Sequence, residues 1–142
     1  MQNEMRRAVS GSLESAETRP MILHILKRAE WEDARRRGDY RPPSLDAEGF
    51  IHCSTVDQVL DTANLFFTAV NDLLLLRIDE SKLRAQLKYE APVVTGDARP
   101  QTAFPHLYGP LNLDAVVDAI EFPCKGDGSF QLPESIRDSR WN

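Results

Sequence analysis

The apolar residues of this chain fall in short runs of strand length, with one long amphipathic stretch between two of them. The runs read MILHIL, FIHCS, LLLLRI, LKYEAP and DAVVDAIEFP, and the amphipathic stretch separates the second run from the third. A doubly wound sheet requires strands and helices to alternate regularly, and that alternation is absent. The pattern therefore predicts a single α+β domain with a split mixed or antiparallel β-sheet, one main helix and one lesser helix.

The amphipathic stretch is predicted to be the main helix. Thr55 and Gln58 have the spacing of a capping box, which indicates that the helix begins at Thr55. Apolar residues follow at i, i+3, i+4 spacing and predict one core-facing side: Val56, Val59, Leu60, Ala63, Phe66, Phe67 and Val70. The segment KRAEWEDARRRG is predicted to be a surface helix that ends at Gly38, because glycine is typical of the position after a helix C-terminus.

The remaining segments carry weaker signals. Residues 39–49, DYRPPSLDAEG, contain two prolines and a glycine and are predicted to be a loop, and the segment from Pro92 to Gly109 is predicted to be loop-rich. GSFQLP is predicted to be the last strand. Residues 1–20 are polar and lack hydrophobic periodicity, which predicts a disordered tail, followed by the domain at 21–132 and a C-terminal tail at 133–142.

Charge and cysteine content restrict the partners and the setting. The net charge is −5 with acidic and basic residues interspersed, so no nucleic-acid partner is expected. No apolar run approaches the ~18–20 residues that cross a membrane, so no membrane partner is expected. Cys53 and Cys124 match no disulfide or metal pattern, and two thiols without an export signal predict a cytoplasmic protein.

The three histidines are the residues best suited to a functional site: His24 in ILHIL, His52 in IHCST and His106 in FPHLYGP. Each one alone is explained as a core residue of a strand or an exposed residue of a loop. Imidazole titrates near neutrality and can donate, accept or bind a metal, so burying it without use is costly. At least two of the three are therefore expected to share one site.

Three kinds of site could use these histidines. A three-histidine metal centre is the first, although spacings of 28 and 54 residues match no local ligand pattern. A hydrolase with Ser54 or Cys53 as nucleophile is the second, but the glycine-flanked elbow of such serines is absent and Cys53 faces away from His52 in a regular strand. The third is a cleft where His24 and His52 orient sugar hydroxyls or phosphates, with Ser54, Thr55 and the first amides of the main helix as anion donors.

Two motifs carry a resemblance to a known family. SLDAEGFIHCST and FPHLYGPLNLDAVV, together with ILHI and LLLLRID, resemble the uncharacterised bacterial family known as domain of unknown function 952 over about residues 21–123. That family is similar, more distantly, to the ADP-ribosyltransferase-like fold and, within it, to the tRNA 2′-phosphotransferases. The fold is a compact split β-sheet that cradles NAD without a Gly-x-Gly-x-x-Gly motif, and that motif is absent here.

The resemblance implies a small nucleotide-like ligand, NAD or a related ADP-ribosyl compound, with NAD as the substrate of an ADP-ribosyl or related transferase and no metal. The catalytic residues that it implies are the first-strand histidine, the histidine of the IHCS strand and a carboxylate in KYEAP: His24, His52 and Glu90. The remaining residues of the cleft are expected to bind the ligand: Ser44, Ser54, Thr55, His106 and Tyr108.

Two alternative functions stay open on the sequence. One is a non-catalytic binding or interaction module that keeps the cleft without the reaction, and the other is a three-histidine metal-dependent hydrolase. Cationic character at the ribose requires a carboxylate or dipole aimed at it. A cleft without Glu90 nearby would therefore favour binding over catalysis.

Overall fold

Residues 20–91 and 103–137 are described by a computed structural model of the protein. Their strands, in chain order, are β1 (Met21–Lys27), β2 (Asp39–Tyr40), β3 (Ile51–His52), β4 (Leu73–Asp79), β5 (Gln86–Glu90), β6 (Phe104–Tyr108), β7 (Leu111–Asn112) and β8 (Val116–Glu121). Their α-helices are α1 (Arg28–Arg37), α2 (Pro43–Glu48), α3 (Val56–Phe66) and α4 (Glu134–Arg137). Short 3-10 turns at Glu80–Lys82 and Leu113–Ala115 complete the order.

The strands form three small antiparallel sheets. Sheet 1 has the order β1-β4-β8, sheet 2 pairs β2 with β7, and sheet 3 has the order β3-β6-β5. A bridge joins sheet 1 to sheet 3, where Leu23 N–H donates to the Ser54 carbonyl at 2.7 Å and Ser54 N–H donates to the Leu23 carbonyl at 2.8 Å. The described residues therefore confirm a single α+β domain built on antiparallel sheets.

Sheet 1 separates two hydrophobic clusters because successive strand side chains point to opposite faces. We call the cluster between sheet 1 and sheet 3 the inner core; it includes Ile22, Leu26, Leu74, Leu76, Ile51 and Leu107. The second core lies on the other face of sheet 1 and includes Leu23, Ile25, Leu75, Val59, Ala63, Phe122 and Phe130. The buried residues of α3 belong to the second core, so this helix supports sheet 1 from behind.

The strongest local signals produced the predicted elements. α1 ends before Gly38, which adopts the left-handed conformation with φ 98° and donates its N–H to the Ala34 carbonyl at 2.8 Å. The capping box at the start of α3 is present, and Thr55 N–H donates to Gln58 Oε1 at 3.0 Å. α3 ends at Phe66, earlier than its apolar stripe indicated, and Phe66 itself is exposed.

The prediction of a loop at residues 39–49 is wrong, and the prediction of two helices is therefore also wrong. The segment contains β2 and the six-residue helix α2. Pro43 occupies the first turn of α2, where a missing N–H removes no intrahelical bond, and Gly49 ends the helix with φ 91°. Two prolines and a glycine thus mark the boundaries of a helix.

Two strand predictions near the C-terminal half are also corrected. Phe104–Tyr108 form the central strand β6 of sheet 3, although the segment was predicted to be loop-rich; residues 92–102 lie outside the described part of the chain. Pro105 has no N–H to donate in β6, but its carbonyl still accepts the Cys53 N–H at 3.0 Å. GSFQLP is not a strand, since Phe130 N–H donates to the side chain of Asn64 at 2.7 Å and its ring fills the second core.

The terminal predictions are only partly covered. The predicted N-terminal tail, apart from residue 20, and residues 138–142 of the predicted C-terminal tail lie outside the described residues. The described start of the C-terminal tail is helical, and Ile136 is buried in the second core. Among the helices described here, none is long and apolar enough to cross a membrane.

Candidate functional site

Strand pairing brings two histidines together on one face of sheet 3. His52 of β3 lies directly opposite His106 of β6, with ring centroids 5.6 Å apart. Their neighbours Ile51 and Leu107 form the adjacent pair and are fully buried in the inner core. Because strand side chains alternate, the two imidazoles lie on the side of sheet 3 that faces away from the inner core. We call this side the outer face.

Glu90, at the end of β5, is held by two donors on the outer face. His106 Nδ1 donates to Glu90 Oε1 at 2.8 Å, and the Tyr108 hydroxyl donates to the same oxygen at 2.6 Å. The bond from Tyr108 and then the bond from His106 lower the pKa of the Glu90 carboxyl, whereas the bond to Glu90 raises the pKa of Tyr108. Glu90 is therefore an oriented carboxylate at neutral pH.

Glu48, the last residue of α2, supplies a second carboxylate. Gly49 adopts φ 91°, a conformation that favours glycine, and the chain reverses there so that Glu48 reaches back to β3. Glu48 Oε1 accepts a hydrogen bond from His52 Nε2 at 2.7 Å. Ser44 Oγ donates to the Phe50 carbonyl at 3.0 Å and fastens α2 to the start of β3.

Phe50 fills the space between the rings of the outer face. It stacks on His106 with a centroid distance of 4.1 Å and meets His52 edge-on at 4.8 Å. Its ring lies 5.2 Å from that of Tyr108, and Lys88 Nζ lies over the Tyr108 ring, 4.8 Å from its centroid. These contacts hold the imidazoles and the phenol in fixed relative positions.

The side chains of the outer face differ in how much they are exposed to solvent. The side chain of His52 is 42% exposed and that of Glu48 is 45% exposed, so both can meet a ligand. His106 is only 2% exposed because Phe50 and the sheet cover it. His106 is therefore linked to solvent through Glu90, whose side chain is 37% exposed.

His24 lies on the opposite side of sheet 3 from the outer face. It shares its face of β1 with Ile22 and Leu26 and enters the inner core. Its Nδ1 donates to the His52 carbonyl at 2.6 Å, and its Nε2 accepts from the Tyr40 hydroxyl at 2.9 Å. Burial lowers the pKa of His24 to about 4 and raises that of Tyr40, so both groups are neutral at physiological pH.

Ser54 and Thr55 connect the end of β3 to α3. Ser54 is buried, and its backbone forms the bridge to Leu23 in sheet 1. Thr55 is the N-cap of α3, and the Gln58 side chain accepts from Thr55 N–H and donates from Nε2 to the Ala103 carbonyl at 2.7 Å. Both predicted residues thus have structural contacts beside the outer face.

Half of the predicted site residues meet on the outer face: His52, Glu90, His106 and Tyr108. The others flank it through backbone contacts or, for His24, lie behind it: Ser44, Ser54, Thr55 and His24. Four contributing residues were not predicted: Tyr40, Glu48, Phe50 and Lys88. Phe50 could have been predicted, because it is two residues before His52 and side chains two apart in a strand share a face. Glu48 and Tyr40 were missed because they lie in the segment predicted to be a loop.

The geometry also bears on the other kinds of site. Within residues 20–91 and 103–137, no three His, Cys, Asp or Glu side chains are placed to hold a metal ion. Both ring nitrogens of His24 are already hydrogen-bonded, so the three histidines do not converge on one metal position. Cys53 is buried in the inner core, and burial raises the pKa of its thiol to about 12, which disfavours it as a nucleophile.

The fold and this face define a small α+β domain with a histidine–carboxylate cluster on one sheet. A family model described as "Protein of unknown function (DUF952)" matches residues 25–119. The chain belongs to that family, which confirms the resemblance carried by its two motifs. No curated protein matches the chain.

Solved structures of one relative share the fold. The crystal structure of protein CC0527 from Caulobacter crescentus is 34% identical with a TM-score of 0.72, covering 82% of this chain and 98% of that chain. The solution NMR structure of CC0527 is 35% identical with a TM-score of 0.66, covering 79% of this chain and 92% of that chain.

Proposed function

We propose that the outer face of sheet 3 binds a small nucleotide-like ligand, NAD or a related ADP-ribosyl compound, and that Glu90 assists transfer of the ADP-ribosyl group. The observation that carries the proposal is the position of Glu90. Its carboxylate is fixed by His106 and Tyr108, and the ring of His106 is 5.6 Å from that of the half-exposed His52. An oriented anion and a solvent-facing imidazole therefore stand within reach of one small molecule.

The chemistry of ADP-ribosyl transfer explains why this carboxylate matters. Breaking the bond between ribose and nicotinamide leaves positive charge on the sugar, and a preorganised anion stabilises that charge best. The lowered pKa of Glu90 keeps the group anionic, and two donors on one oxygen fix its direction. The distant ADP-ribosyltransferase-like resemblance of the motifs supports the same ligand class.

Each predicted residue has a part in this proposal. His52 lies beside the nicotinamide ribose, and Tyr108 and His106 orient Glu90. The N-terminus of α3, which begins after Ser54 and Thr55, attracts the phosphates through the helix dipole. The remaining two residues act on β3 from a distance, Ser44 through the Phe50 carbonyl and His24 through the His52 carbonyl.

The proposed partner is a small molecule in the cytoplasm. A net charge of −5 opposes a nucleic acid, whose phosphates require a basic surface. Cys53 and Cys124 are both free thiols, which agrees with a reducing compartment.

Titration of the protein with NAD and with ADP-ribose, followed by amide and imidazole NMR signals, tests the proposal. The expected result is saturable shifts that centre on His52, Glu90 and Tyr108, weakened in Glu90→Gln. The isosteric change keeps the acceptor for His106 and Tyr108 but removes the charge. Glu32→Gln, an exposed change on α1, is the matched control and should leave the shifts unaltered.

Two results decide between the forms of the proposal. No shift on the outer face at millimolar ligand contradicts ligand binding altogether. Binding without release of nicotinamide, under conditions where both nucleotides shift the same signals, supports a binding module in place of a transferase.

A further inference from the structure

We infer that Glu48 and His52 form a general-base pair that activates water or an alcohol as the acceptor, so that the protein hydrolyses the bond between ribose and nicotinamide. The inference rests on the proposed function, because a base acts only on an acceptor beside bound substrate. It assigns the acceptor class that the resemblance leaves unnamed.

The hydrogen bond between the two side chains sets the form of the imidazole. A carboxylate only accepts, so the 2.7 Å contact requires His52 Nε2–H to donate to Glu48 Oε1. In the neutral ring the other nitrogen, Nδ1, then carries the lone pair that removes a proton. A carboxylate on the far nitrogen fixes this tautomer and stabilises the imidazolium that forms, as in other carboxylate–histidine catalytic pairs.

The pair is also positioned to work with Glu90. His52 and His106 are opposite each other on β3 and β6, and His106 donates to Glu90 at 2.8 Å. The base and the carboxylate that stabilises the sugar cation are therefore on the same face, separated by one imidazole ring. An acceptor near His52 and an anomeric carbon near Glu90 can belong to one complex.

No other described histidine is suited to this role. His106 is 2% exposed and uses Nδ1 to hold Glu90. His24 lies in the inner core with both ring nitrogens bonded. His52, whose side chain is 42% exposed, is the histidine that an acceptor from solvent can approach.

The step balances without a further reactant. His52 Nδ1 takes a proton from water while the water oxygen forms a bond to the anomeric carbon of the ribose. The bond from that carbon to the ring nitrogen of nicotinamide breaks, and its electron pair leaves with nicotinamide. The Glu90 carboxylate offsets the positive charge on the sugar, and the proton on His52 passes to solvent.

The hydrogen bond between Glu48 and His52 contributes little to folding, so a mutation of Glu48 can be tested without loss of the fold. A hydrogen bond between two side chains that are nearly half exposed contributes little to stability, so Glu48→Gln should fold normally. A change in rate after this substitution therefore reports the chemistry of His52. Glu48 acts through His52 and is a positioning residue, whereas His52 touches the acceptor.

The test measures nicotinamide release from NAD in the full chain, with binding followed in parallel by NMR. His52→Ala is expected to lower kcat by ~100-fold or more, the usual contribution of a general base, and added imidazole should restore part of the loss. Glu48→Gln should lower kcat with KM unchanged, and methanol added to wild type should divert product to the methyl riboside. Glu32→Gln should match wild type.

Failure of the inference is distinguishable from failure of the proposed function. If NAD shifts the outer-face signals but nicotinamide is not released, the general base is overturned and ligand binding stands. Equal rates in wild type and His52→Ala, or a loss in His52→Ala that imidazole does not restore, also overturn the general base. If NAD and ADP-ribose shift no outer-face signal, both are overturned.

Discussion

Acidification is expected to destabilise the protein through His24, which is buried between sheets 1 and 3. Its Nδ1–H donates to the His52 carbonyl, and its Nε2 accepts from Tyr40, so the fold holds the neutral ring. Burial is the main cause that lowers its pKa from 6.5 to about 4. A charged His24 would have to donate to the Tyr40 hydroxyl, which reverses the present bond, and would place an ion among apolar side chains.

The direction and size of the effect follow from proton binding. Between pH 6.5 and about 4, the unfolded chain binds a proton at His24 that the folded chain does not. The stabilisation is complete above pH 6.5, is lost as the pH falls through this interval, and changes no further below it. At about 1.36 kcal/mol per pKa unit, the free energy of unfolding should fall by roughly 3 kcal/mol over the whole interval. From pH 7 to pH 5 it should fall by about 2 kcal/mol, because the loss begins near pH 6.5.

Urea unfolding of wild type and His24→Asn at pH 7, 6 and 5 measures this loss. The asparagine amide can donate to the His52 carbonyl from nearly the position of Nδ1, but it does not titrate. The other titratable groups are common to both proteins, so the difference between their pH slopes isolates His24. Wild type should lose about 2 kcal/mol more than the variant from pH 7 to pH 5.

Parallel stability curves for the two proteins would refute this reasoning, because they would show that His24 has the same pKa folded and unfolded. If His24→Asn does not fold, NMR of the wild-type ring supplies the same test. Its signals should keep the neutral form until the pH approaches 4, and a midpoint near 6.5 would contradict the buried, bonded state.

Three further predictions concern single side chains. Tyr40→Phe should lower the free energy of unfolding by about 1–3 kcal/mol, because Nε2 of His24 loses its buried donor; urea unfolding unchanged from wild type would contradict that bond. Cys53 should resist iodoacetamide while the half-buried Cys124 reacts, since burial raises the pKa of Cys53 to about 12, and equal labelling rates would show an open core. Gly49→Ala should lower the free energy of unfolding by about 1–2 kcal/mol, because alanine is strained at a φ of 91°. An added Cβ meets nothing within 4 Å, so this loss reports backbone strain alone, and an unchanged free energy in urea unfolding would exclude that strain.

The elements that could be predicted from the sequence are those with local signals. β1 and β4 are short segments rich in apolar residues, and both are strands of sheet 1. The start of α3 follows from the capping box, and the end of α1 follows from Gly38. Such signals need no knowledge of what the segment packs against.

The missed elements depend on contacts that are distant in sequence. β6 reads as a loop because of Pro105, yet it pairs with β3 and β5, where the missing N–H is tolerated and the carbonyl is used. α2 is short, and the Ser44 bond to Phe50 helps to hold it against β3. The sequence of ten neighbouring residues does not indicate either set of contacts, those of β6 or those of α2.

The site was predicted in part for the same reason. Alternation correctly placed His24 with Ile22 and Leu26, but the packing of sheet 3 on sheet 1 decides that this face is the inner core. The pairing that sets His52 beside His106 is a matter of strand register across 54 residues, which no spacing indicates. Four of the eight predicted residues meet as expected, because they belong to strands that pair.

A crystal structure of the protein with ADP-ribose bound tests the central claim most directly. The account predicts that the ligand lies on the outer face of sheet 3, with its terminal ribose against Glu90 and a hydroxyl within hydrogen-bond distance of His52, while His24 keeps its bonds to Tyr40 and the His52 carbonyl. ADP-ribose bound on another surface, or a ligand-free outer face in crystals grown at saturating ADP-ribose, would contradict it.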